Sequence, residues 1–375
     1  MTSASYSSAA AEPFEGLRIR GVAKTFGTDT TVLNEIDLDV HPGELISLVG
    51  SSGTGKSTLL RIIAGLEEPS AGRVTYAGQP LERGSVGVVF QRPILYPHLS
   101  VKDNILFPTR LGAFAGRVDM DYYRELLEAL KLEGLESRKP SQLSGGQAQR
   151  VGIARALIRR APVVLFDEPL ASVDEEMSAS IRADIVRLHE RYGFTGLYVT
   201  HDQNEALMLG QRVAVMDAGY LVQVDTPERL LAHPHTLQVA KLMAAPALNL
   251  LALEGSESLP VGCELAIRAT ALCPVAADAA HSLPVQVLGS RHLVGGMLYR
   301  ARLLEAVSLP LESGRASADS ELSARMYARV RAGQELEFFI PDAHGGTSLS
   351  VGDRVHLGVA AERCFLFSKG KRFYL

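Results

Sequence analysis

Tryptophan is absent from the 375 residues, and cysteine occurs only at Cys263, Cys273 and Cys364. The cysteines are odd in number, lie in the last third of the chain and have no C-x-x-C spacing. This pattern excludes a disulfide framework and a cysteine-based zinc site, and it favours a reducing compartment. We expect these thiols to be buried or inert.

Neither sign of charge dominates, because 38 basic residues are set against 42 acidic ones, for a net charge of -4. A nucleic-acid partner is therefore not indicated. A long apolar run is also missing: residues 243–253 span only about half of the roughly 20 residues that a membrane-spanning helix needs. If the protein acts at a membrane, we expect another chain to supply the span.

Residues 1–13 contain no lysine or arginine and no apolar core segment, so the start of the chain does not resemble a signal peptide. We expect residues 1–16 to form a flexible tail. The remaining composition, with 46% apolar and 21% charged residues, is typical of a globular protein. At about 150 residues per domain, the length indicates about two to three domains.

Short apolar segments alternate with amphipathic ones from about residue 17 to residue 240, which predicts an α/β domain with a mostly parallel sheet. Strands are predicted at residues 17–22, 45–49, 86–90, 163–166, 196–200 and 213–217. Helices are predicted to begin at Gly55 and Asp121 and near Ser144 and Glu175. The alternation is missing from residues 92–160, which we interpret as an inserted helical subdomain.

The pattern changes after about Pro246, where short β-like runs are separated by turns rich in Gly, Pro and Ser. The runs are residues 265–268, 285–288, 298–303, 336–340, 355–359 and 365–367. They predict a small β-sandwich or barrel of about 125 residues. We therefore place an α/β domain at residues 17–242 and a β-rich domain at residues 243–375.

The most informative segment, which we name the phosphate loop, matches G-x-x-x-x-G-K-[ST]. It consists of Gly50, Ser51, Ser52, Gly53, Thr54, Gly55, Lys56, Ser57 and Thr58. An apolar strand precedes it and a helix follows, which is the context that the motif requires. Glycines let backbone N–H groups converge on phosphates, Lys56 can reach the β- and γ-phosphates, and the Ser57 hydroxyl can bind Mg²⁺. The motif predicts nucleotide binding but does not choose among kinases, GTPases, helicases and transporters.

Two carboxylates, Asp167 and Glu168, follow the predicted buried strand at residues 163–166. A carboxylate at this place can hold Mg²⁺, directly or through water, and we assign that role to Asp167. Glu168 can accept a proton from an attacking water molecule.

A second anion site is predicted at Ser144, Gly145, Gly146 and Gln147, because Ser144 is a good helix N-cap and the glycines expose backbone N–H groups. One phosphate loop already satisfies the phosphates of one nucleotide. A second cradle therefore indicates a nucleotide that is shared between two copies of the domain.

Residues 143–147, with the phosphate loop before them and the acidic pair after them, resemble the signature of ATP-binding cassette (ABC) ATPases. The resemblance covers about residues 17–240. It implies an α/β P-loop NTPase fold, with a RecA-like core, an antiparallel β part and an inserted helical subdomain that carries the signature. Further residues match in register: Phe26 as the aromatic residue that stacks on adenine, Gln91 as the Q-loop glutamine, residues 171–174 as the D-loop and His201 as the switch histidine.

The resemblance implies roles for these residues. ATP is the nucleotide and Mg²⁺ the metal, held by Ser57, Gln91 and Asp167. Catalysis falls to Lys56, Gln91, Glu168 and His201. ATP is contacted by Phe26, the phosphate loop, the signature residues 144–147 and the D-loop residue Asp174.

A narrower resemblance is carried by residues 89–91, 95–101 and 198–203, which are similar to importer ATPases of the maltose, sulfate, polyamine and ferric-iron class. That class carries a C-terminal OB-like regulatory domain. It implies a dimer of this chain, two transmembrane permease subunits, an indirect solute-binding protein and a peripheral position at the cytoplasmic face of the cell membrane. The sequence of residues 95–99 favours a sugar as the solute, and polyamine, sulfate and iron remain alternatives.

The alternative is a soluble ABC ATPase that is not coupled to transport. DNA-repair members need a long coiled-coil insertion, and Gln91 and Ser144 are only 53 positions apart. Translation-type members carry two cassettes, whereas this chain has one phosphate loop and one signature. Exporter cassettes commonly end soon after the His201 region. A regulatory protein without hydrolysis is disfavoured because Lys56, Glu168 and His201 are all present.

The chain departs from the family pattern at several places. Ala148 replaces a larger polar residue, and the D-loop reads Ala171, Ser172, Val173, Asp174 instead of the commoner Ser-Ala-Leu-Asp. Arg268 lacks the Pro-Glu pair that often follows it, which puts an inherited regulatory contact there in doubt.

Overall fold

The computed structural model describes residues 14–110, 118–254, 259, 262–311, 326–342, 348–360 and 363–372. Most of the predicted tail, residues 1–13, lies outside the described residues. The chain divides into two compact units, Met1–Pro227 and Glu228–Leu375. In the described part, no helix combines the length and the apolar character that crossing a bilayer requires.

The first unit mixes strands and helices. Its strands are β1 (Leu17–Phe26), β2 (Thr30–Val40), β3 (Leu45–Val49), β4 (Ala71–Tyr76), β5 (Gln79–Pro80), β6 (Gly87–Val89), β7 (Val163–Asp167), β8 (Thr195–Thr200), β9 (Arg212–Asp217) and β10 (Tyr220–Asp225). Its helices are α1 (Lys56–Ile63), α2 (Val101–Leu106), α3 (Met120–Ala129), α4 (Gly145–Leu157), α5 (Glu175–Tyr192) and α6 (Gln203–Leu209). All six predicted strands and all four predicted helix starts are present, within a few residues.

Two sheets build this unit. The larger has the order β10-β9-β3-β8-β7-β6, in which β3, β6, β7, β8 and β9 pair in parallel and β10 is antiparallel to β9. The smaller is antiparallel, with the order β2-β1-β4-β5. This arrangement matches the RecA-like core and the antiparallel β part that the resemblance implied.

Both faces of the larger sheet are buried, which agrees with the continuous apolar runs of its strands. In β7, Val163 and Leu165 join the core that contains β1, β2 and α1, whereas Val164 and Phe166 face the core that contains α2 to α5. Successive side chains of a strand point to opposite faces, so one strand contributes to both cores. The sheet is thereby held in place from two sides.

The inserted helical segment contains α2, α3 and α4 and packs on α5. The carboxylate of Asp184 in α5 is fully buried, and its Oδ2 lies 2.9 Å from Nη2 of Arg150 in α4. Arg187 also pairs with Asp184, and Lys131 Nζ lies 3.9 Å from it. A buried carboxylate is tolerated only when cations compensate it, so these contacts tie the helical subdomain to the core at one defined place.

The second unit is mainly β, as predicted. Its strands are β11 (Leu248–Ala252), β12 (Cys263–Arg268), β13 (Cys273–Val275), β14 (Leu283–Leu293), β15 (Gly296–Leu303), β16 (Val307–Leu311), β17 (Met326–Val330), β18 (Glu335–Pro341), β19 (Arg354–Gly358), β20 (Cys364–Ser368) and β21 (Lys371–Arg372). They form the sheets β11-β12-β20-β21, β13-β19-β14-β15-β18 and β16-β17. Tyr299 and Phe338 stack in their shared core, with ring centroids 5.2 Å apart. Cys263 and Cys364 are buried, and Cys273 is exposed.

Two short helices, α7 (Pro227–Ala232) and α8 (Leu237–Leu242), are associated with the second unit. The sequence had placed this segment in the first domain, with the boundary after residue 242. The physical reason for the difference is hydrogen bonding: Arg268 donates to the Leu231 carbonyl at 2.7 Å, and the Leu237 amide donates to the Gly370 carbonyl at 2.8 Å. Helical periodicity alone does not show which unit a short helix packs on.

Arg268 is held in an aromatic setting in the second unit. Its guanidinium lies 4.9 Å from the centre of the Phe365 ring, and that of Arg372 lies 4.4 Å from the same ring. Burial, with the charge of Arg372, lowers the pKa of Arg268 to about 10. Arg268 is therefore part of the packing of this unit even though the Pro-Glu pair is missing.

Candidate functional site

Three parallel strands end at one edge of the larger sheet. Val49, the last residue of β3, pairs with Thr200, the last residue of β8, and Asp167 at the end of β7 pairs with Val199. The residues that follow these strands therefore meet: the phosphate loop, Glu168 and His201. Open α/β sheets bind ligands at this carboxyl edge.

The phosphate loop turns directly into α1 through Gly55, whose φ is 97°. A Cβ there would lie 2.6 Å from Leu33 Cδ2 and 2.8 Å from the Val32 carbonyl oxygen. No side chain caps α1, so the N–H groups of its first turn are available to an anion. Ser51, Ser52, Gly53 and Ser57 are exposed, and Thr54 and Gly55 are buried beneath them.

Lys56 lies folded over the phosphate loop. Its Nζ donates to the carbonyls of Gly50 at 2.7 Å and Ser51 at 3.0 Å, and the residue is only 5% exposed. Burial lowers the pKa of Lys56, whereas the nearby charges of Glu168 and Asp167 oppose that shift. The lysine is thus held where phosphates would replace the two carbonyls as partners of its ammonium group.

Ser57 and Asp167 offer oxygen ligands side by side, with Ser57 Oγ 3.4 Å from Asp167 Oδ1. Burial is the main cause that raises the pKa of Asp167, and the charge of Glu168 adds to it. A hydroxyl and a carboxylate suit Mg²⁺, which prefers oxygen ligands and keeps substrate phosphates and water as its others. No cluster of three or more His, Cys, Asp or Glu residues that would hold a metal alone occurs in the described ranges.

Glu168 and His201 face each other, with Glu168 Oε2 3.1 Å from His201 Nδ1. Glu168 has a φ of 45°, an unfavourable conformation for a residue with a Cβ, and its amide donates to the Val199 carbonyl at 2.9 Å. Backbone strain of this kind is concentrated at functional sites. The carboxylate and the imidazole predicted from separate strand ends are thus brought together.

The Q-loop and the D-loop meet at one hydrogen bond. Ser172 Oγ donates to the carbonyl of Gln91 at 3.1 Å. The sequence placed Ser172 in the D-loop, as a departure from the commoner family sequence, but did not predict this contact. The Asp174 side chain caps α5 by accepting from the Met177 amide at 2.9 Å. Gln91 itself is exposed, and its predicted roles in catalysis and in holding Mg²⁺ stay predictions.

The signature residues bond to one another at the start of α4. Ser144 Oγ accepts from the Gln147 amide at 3.3 Å, and Gln147 Oε1 accepts from the Ser144 amide at 3.0 Å, which is a capping box. A Cβ on Gly146 would lie 2.6 Å from Met177 Cγ, whereas Gly145 has open space on that side. Within the described ranges, none of these polar contacts reaches the phosphate loop of the same chain.

Phe26 lies at the end of β1 and is 43% exposed. The ammonium of Lys24 lies 4.9 Å from the centre of its ring. An exposed aromatic face beside a cation is suited to stacking on a planar group, as the predicted contact with adenine requires.

Glu205 is a residue of this region that the sequence did not single out. Its Oε2 accepts from Thr200 Oγ1 at 2.8 Å and from Tyr198 OH at 3.1 Å. A signal was present, because Asp202 and Glu205 have the spacing of a capping box at the start of α6. That pattern shows where a helix begins but not that its carboxylate reaches back to a neighbouring strand.

The part of the chain that carries these motifs is similar to known proteins. A family model described as "ABC transporter" matches residues 33–171. The chain is 45% identical over 241 residues to the sn-glycerol-3-phosphate import ATP-binding protein UgpC 1 of Rhizobium johnstonii, covering 63% of this chain and 65% of that protein. It is 43% identical over 244 residues to the protein named UgpC from Escherichia coli, covering 63% of this chain and 68% of that protein. The matches thus span about two thirds of the length of these relatives.

Solved structures agree in fold. CbiO1 from Clostridium perfringens, titled part of the ABC transporter complex cbiONQ, matches with a TM-score of 0.53 and 27% identity over 59% of this chain and 92% of that one. The cassette MJ0796, solved as a dimer, matches with a TM-score of 0.50 and 33% identity over 56% of this chain and 98% of that one. The predicted fold class and family resemblance are confirmed.

Substitution of Gly55 by Ala should weaken nucleotide binding. The new Cβ meets Leu33 and Val32 and also disfavours the positive φ, so the phosphate loop must change shape. We expect affinity for a trinitrophenyl-ATP probe to fall at least about tenfold, since convergent N–H groups are lost. Gly78→Ala is the matched control, because Gly78 has a φ of 76° but nothing within 4 Å of its added Cβ. Equal effects of the two substitutions would contradict this account.

Proposed function

The chain belongs to the ABC transporter family of ATP-binding proteins, and on that premise we propose that it hydrolyses ATP to power the import of a solute. The observation that carries this proposal is the edge of the larger sheet, where the phosphate loop, Asp167 and the pair of Glu168 and His201 lie together. A purely nucleotide-binding protein does not require a carboxylate and an imidazole beside its phosphate loop.

Each part of the proposed nucleotide, from the adenine to the phosphates and Mg²⁺, is assigned to residues of this site. Phe26 stacks on adenine, the first turn of α1 and Lys56 bind the β- and γ-phosphates, and Ser57, Asp167 and Gln91 hold Mg²⁺. When bound, Mg²⁺ offsets negative charge between the β- and γ-phosphates. Lys56 then exchanges its two carbonyl partners for phosphate oxygens.

Hydrolysis requires a water molecule to lose a proton as it attacks the γ-phosphate. Glu168 accepts that proton, and its contact with His201 keeps the carboxylate aimed at the edge of the sheet. His201 also stabilises the charge that develops on the γ-phosphate. The two residues can act on the same γ-phosphate because they lie at the ends of adjacent strands, β7 and β8.

The functional form is proposed to be a dimer that shares its nucleotides. The glycine-rich start of α4 has an open face at Gly145, and the hydrogen bonds between Ser144 and Gln147 stay within this segment. It is therefore free to bind the nucleotide of a second copy, with Asp174 of the D-loop close to the same interface. ATP binding closes this dimer and hydrolysis opens it.

A groove of about 610 Å³ lies beside the Q-loop and is a candidate docking site for a permease. Ile94 and Tyr96 line it and are exposed, and the Tyr96 ring lies 4.4 Å from that of Phe107. Arg155 also lines it and donates to the Ile94 carbonyl at 2.5 Å. We place one of two transmembrane permease subunits here, with the protein peripheral at the cytoplasmic face of the cell membrane.

The solute is proposed to be of the sugar class. The relatives named for sn-glycerol-3-phosphate import favour a sugar or polyol phosphate over polyamine, sulfate or iron. In this arrangement the permeases and a solute-binding protein select the solute, and this chain supplies energy. No observation favours the alternative of a soluble ABC ATPase without a transport partner.

Substitution of Glu168 by Gln should separate binding from hydrolysis. The amide keeps the size of the side chain but cannot accept the proton, so we expect turnover to slow by about 10²–10⁴-fold, roughly 3–5 kcal/mol of barrier. ATP binding should remain, and the protein should elute as a dimer when ATP is present. Glu176→Gln, at an exposed carboxylate in the first turn of α5, is the control. Unchanged turnover in Glu168→Gln would rule out the role assigned to this residue.

Mixing two inactive variants should test the shared nucleotide. Lys56→Ala damages the phosphate loop and Ser144→Arg damages the signature. In their mixed dimer one site carries both changes and the other carries neither, so about a quarter of wild-type activity should return if the subunits exchange freely. Lys56→Ala mixed with Glu168→Gln is the control, because both residues act in the same half of a site and no intact site can form. Recovery in the control, or none in the first mixture, would contradict the shared site.

The transport partner can be tested by co-purification. We expect tagged Glu168→Gln protein, extracted from membranes in mild detergent with ATP, to carry polytopic membrane proteins that mass spectrometry identifies. A matched preparation that also carries Tyr96→Arg should lose those partners, since a charge is placed in the proposed groove. Recovery of ribosomes, DNA or no partner would instead support the soluble alternative.

A further inference from the structure

The imidazole of His201 lies on a turn between β8 and α6 and has little packing of its own, since 59% of its side chain is exposed. Its contact with Glu168 is with a group that must itself change partners during hydrolysis. A side chain on a turn keeps one position only if the backbone on both sides is held. The structure shows how this backbone is held.

A ring of hydrogen bonds encloses the turn. The Thr200 hydroxyl accepts from the Asp202 amide at 3.0 Å and donates to Glu205 Oε2 at 2.8 Å. The Asp202 carboxylate in turn accepts from the Glu205 amide at 3.0 Å. The backbone on both sides of His201 is therefore held by hydrogen bonds, because its chain neighbours Thr200 and Asp202 bond to each other and to Glu205.

The ring is anchored in the core by Tyr198. This residue is fully buried in β8, and its hydroxyl donates to the same Glu205 oxygen at 3.1 Å. Burial raises the pKa of Tyr198 well above its usual range, so it remains a donor throughout the neutral range. Helix capping by Asp202 does not need this contact, which indicates that the Glu205 carboxylate does more than begin α6.

A cavity lies next to the hydrogen-bonded turn that carries His201. A cavity of about 130 Å³ is lined by Glu168, His201 and Glu205 together with Arg182 and Asp202. His201 has room to move into it, so packing alone does not select one orientation of the imidazole. Hydrogen bonds to the backbone neighbours must do so.

We propose that Glu205 is a positioning residue for the switch histidine: its carboxylate joins the end of β8 to the start of α6 and thereby fixes His201 against Glu168. The proposal rests on the proposed function of His201 in ATP hydrolysis. Glu205 touches neither nucleotide nor water in this account and acts only through His201.

Substitution of Glu205 by Ala should lower kcat for ATP hydrolysis at least about tenfold, because the alignment of a catalytic group is lost, while KM stays within about twofold. Glu205→Gln should retain most of the activity, because the amide oxygen still accepts from Tyr198 and Thr200. Trinitrophenyl-ATP affinity should be unchanged in both variants. Glu133→Ala, at an exposed carboxylate outside the site, is the matched control.

A double-mutant cycle separates positioning from simple stability. In a His201→Ala background, Glu205→Ala should reduce kcat by less than about twofold further, because the group on which it acts is gone. A further drop of tenfold or more would overturn the proposal, since Glu205 would then act independently of His201. An unchanged kcat in the single Glu205→Ala variant would overturn it as well.

Failure of the proposal and failure of the proposed function give different results. If His201→Ala hydrolyses ATP at the wild-type rate, the role of His201 is wrong. If His201→Ala is slow but Glu205→Ala is not, only the positioning role is wrong. Should Glu205→Ala fail to fold, Thr200→Val removes the hydrogen bond that joins Glu205 to the end of β8 without emptying space, with Thr200→Ser as its rescue. A wild-type kcat in Thr200→Val would then overturn the proposal.

Discussion

The parallel pairing of β3 with β8 and of β8 with β7 is the constraint on which the rest of this protein depends. It aligns Val49, Asp167 and Thr200 at one edge, so that three segments far apart in sequence deliver their polar residues to the same place. The pairing is maintained because both faces of the sheet are buried, one under β1, β2 and α1 and the other under α2 to α5. A one-residue slip of β7 would turn its side chains to the opposite faces and remove Asp167 from the edge.

Some polar groups of the site have hydrogen-bond partners within the protein, and others are available to bind a ligand. Lys56, Glu168 and His201 have protein partners, and Ser144 and Gln147 cap their own helix. The first turn of α1 and the side of Gly145 have no such partner among the described residues. Anions bind where N–H groups are open, so a nucleotide is expected to enter between these two surfaces, one from each copy of the chain.

Polar contacts join the helical subdomain and the loops beside it to the core. Asp184 holds Arg150 of α4 from within α5, and Ser172 joins the D-loop to the Q-loop. Ser172 makes this contact because the D-loop of this chain departs from the commoner sequence.

The sequence by itself predicted most residues of the candidate site. The phosphate loop, Asp167, Glu168 and the glycine-rich start of α4 were predicted because each combines fixed spacing with a local strand or helix. His201 was assigned by resemblance to the ABC family. The sequence also predicted the core strands of the first unit, because their apolar segments alternate with amphipathic helical ones. Only the tertiary structure decided that Glu205 reaches Thr200 and Tyr198, that Ser172 meets Gln91, and that α7 and α8 join the second unit. The physical reason is the same in each case: these contacts depend on how elements pack, and a hydrogen bond between distant residues leaves no periodic signal in the chain.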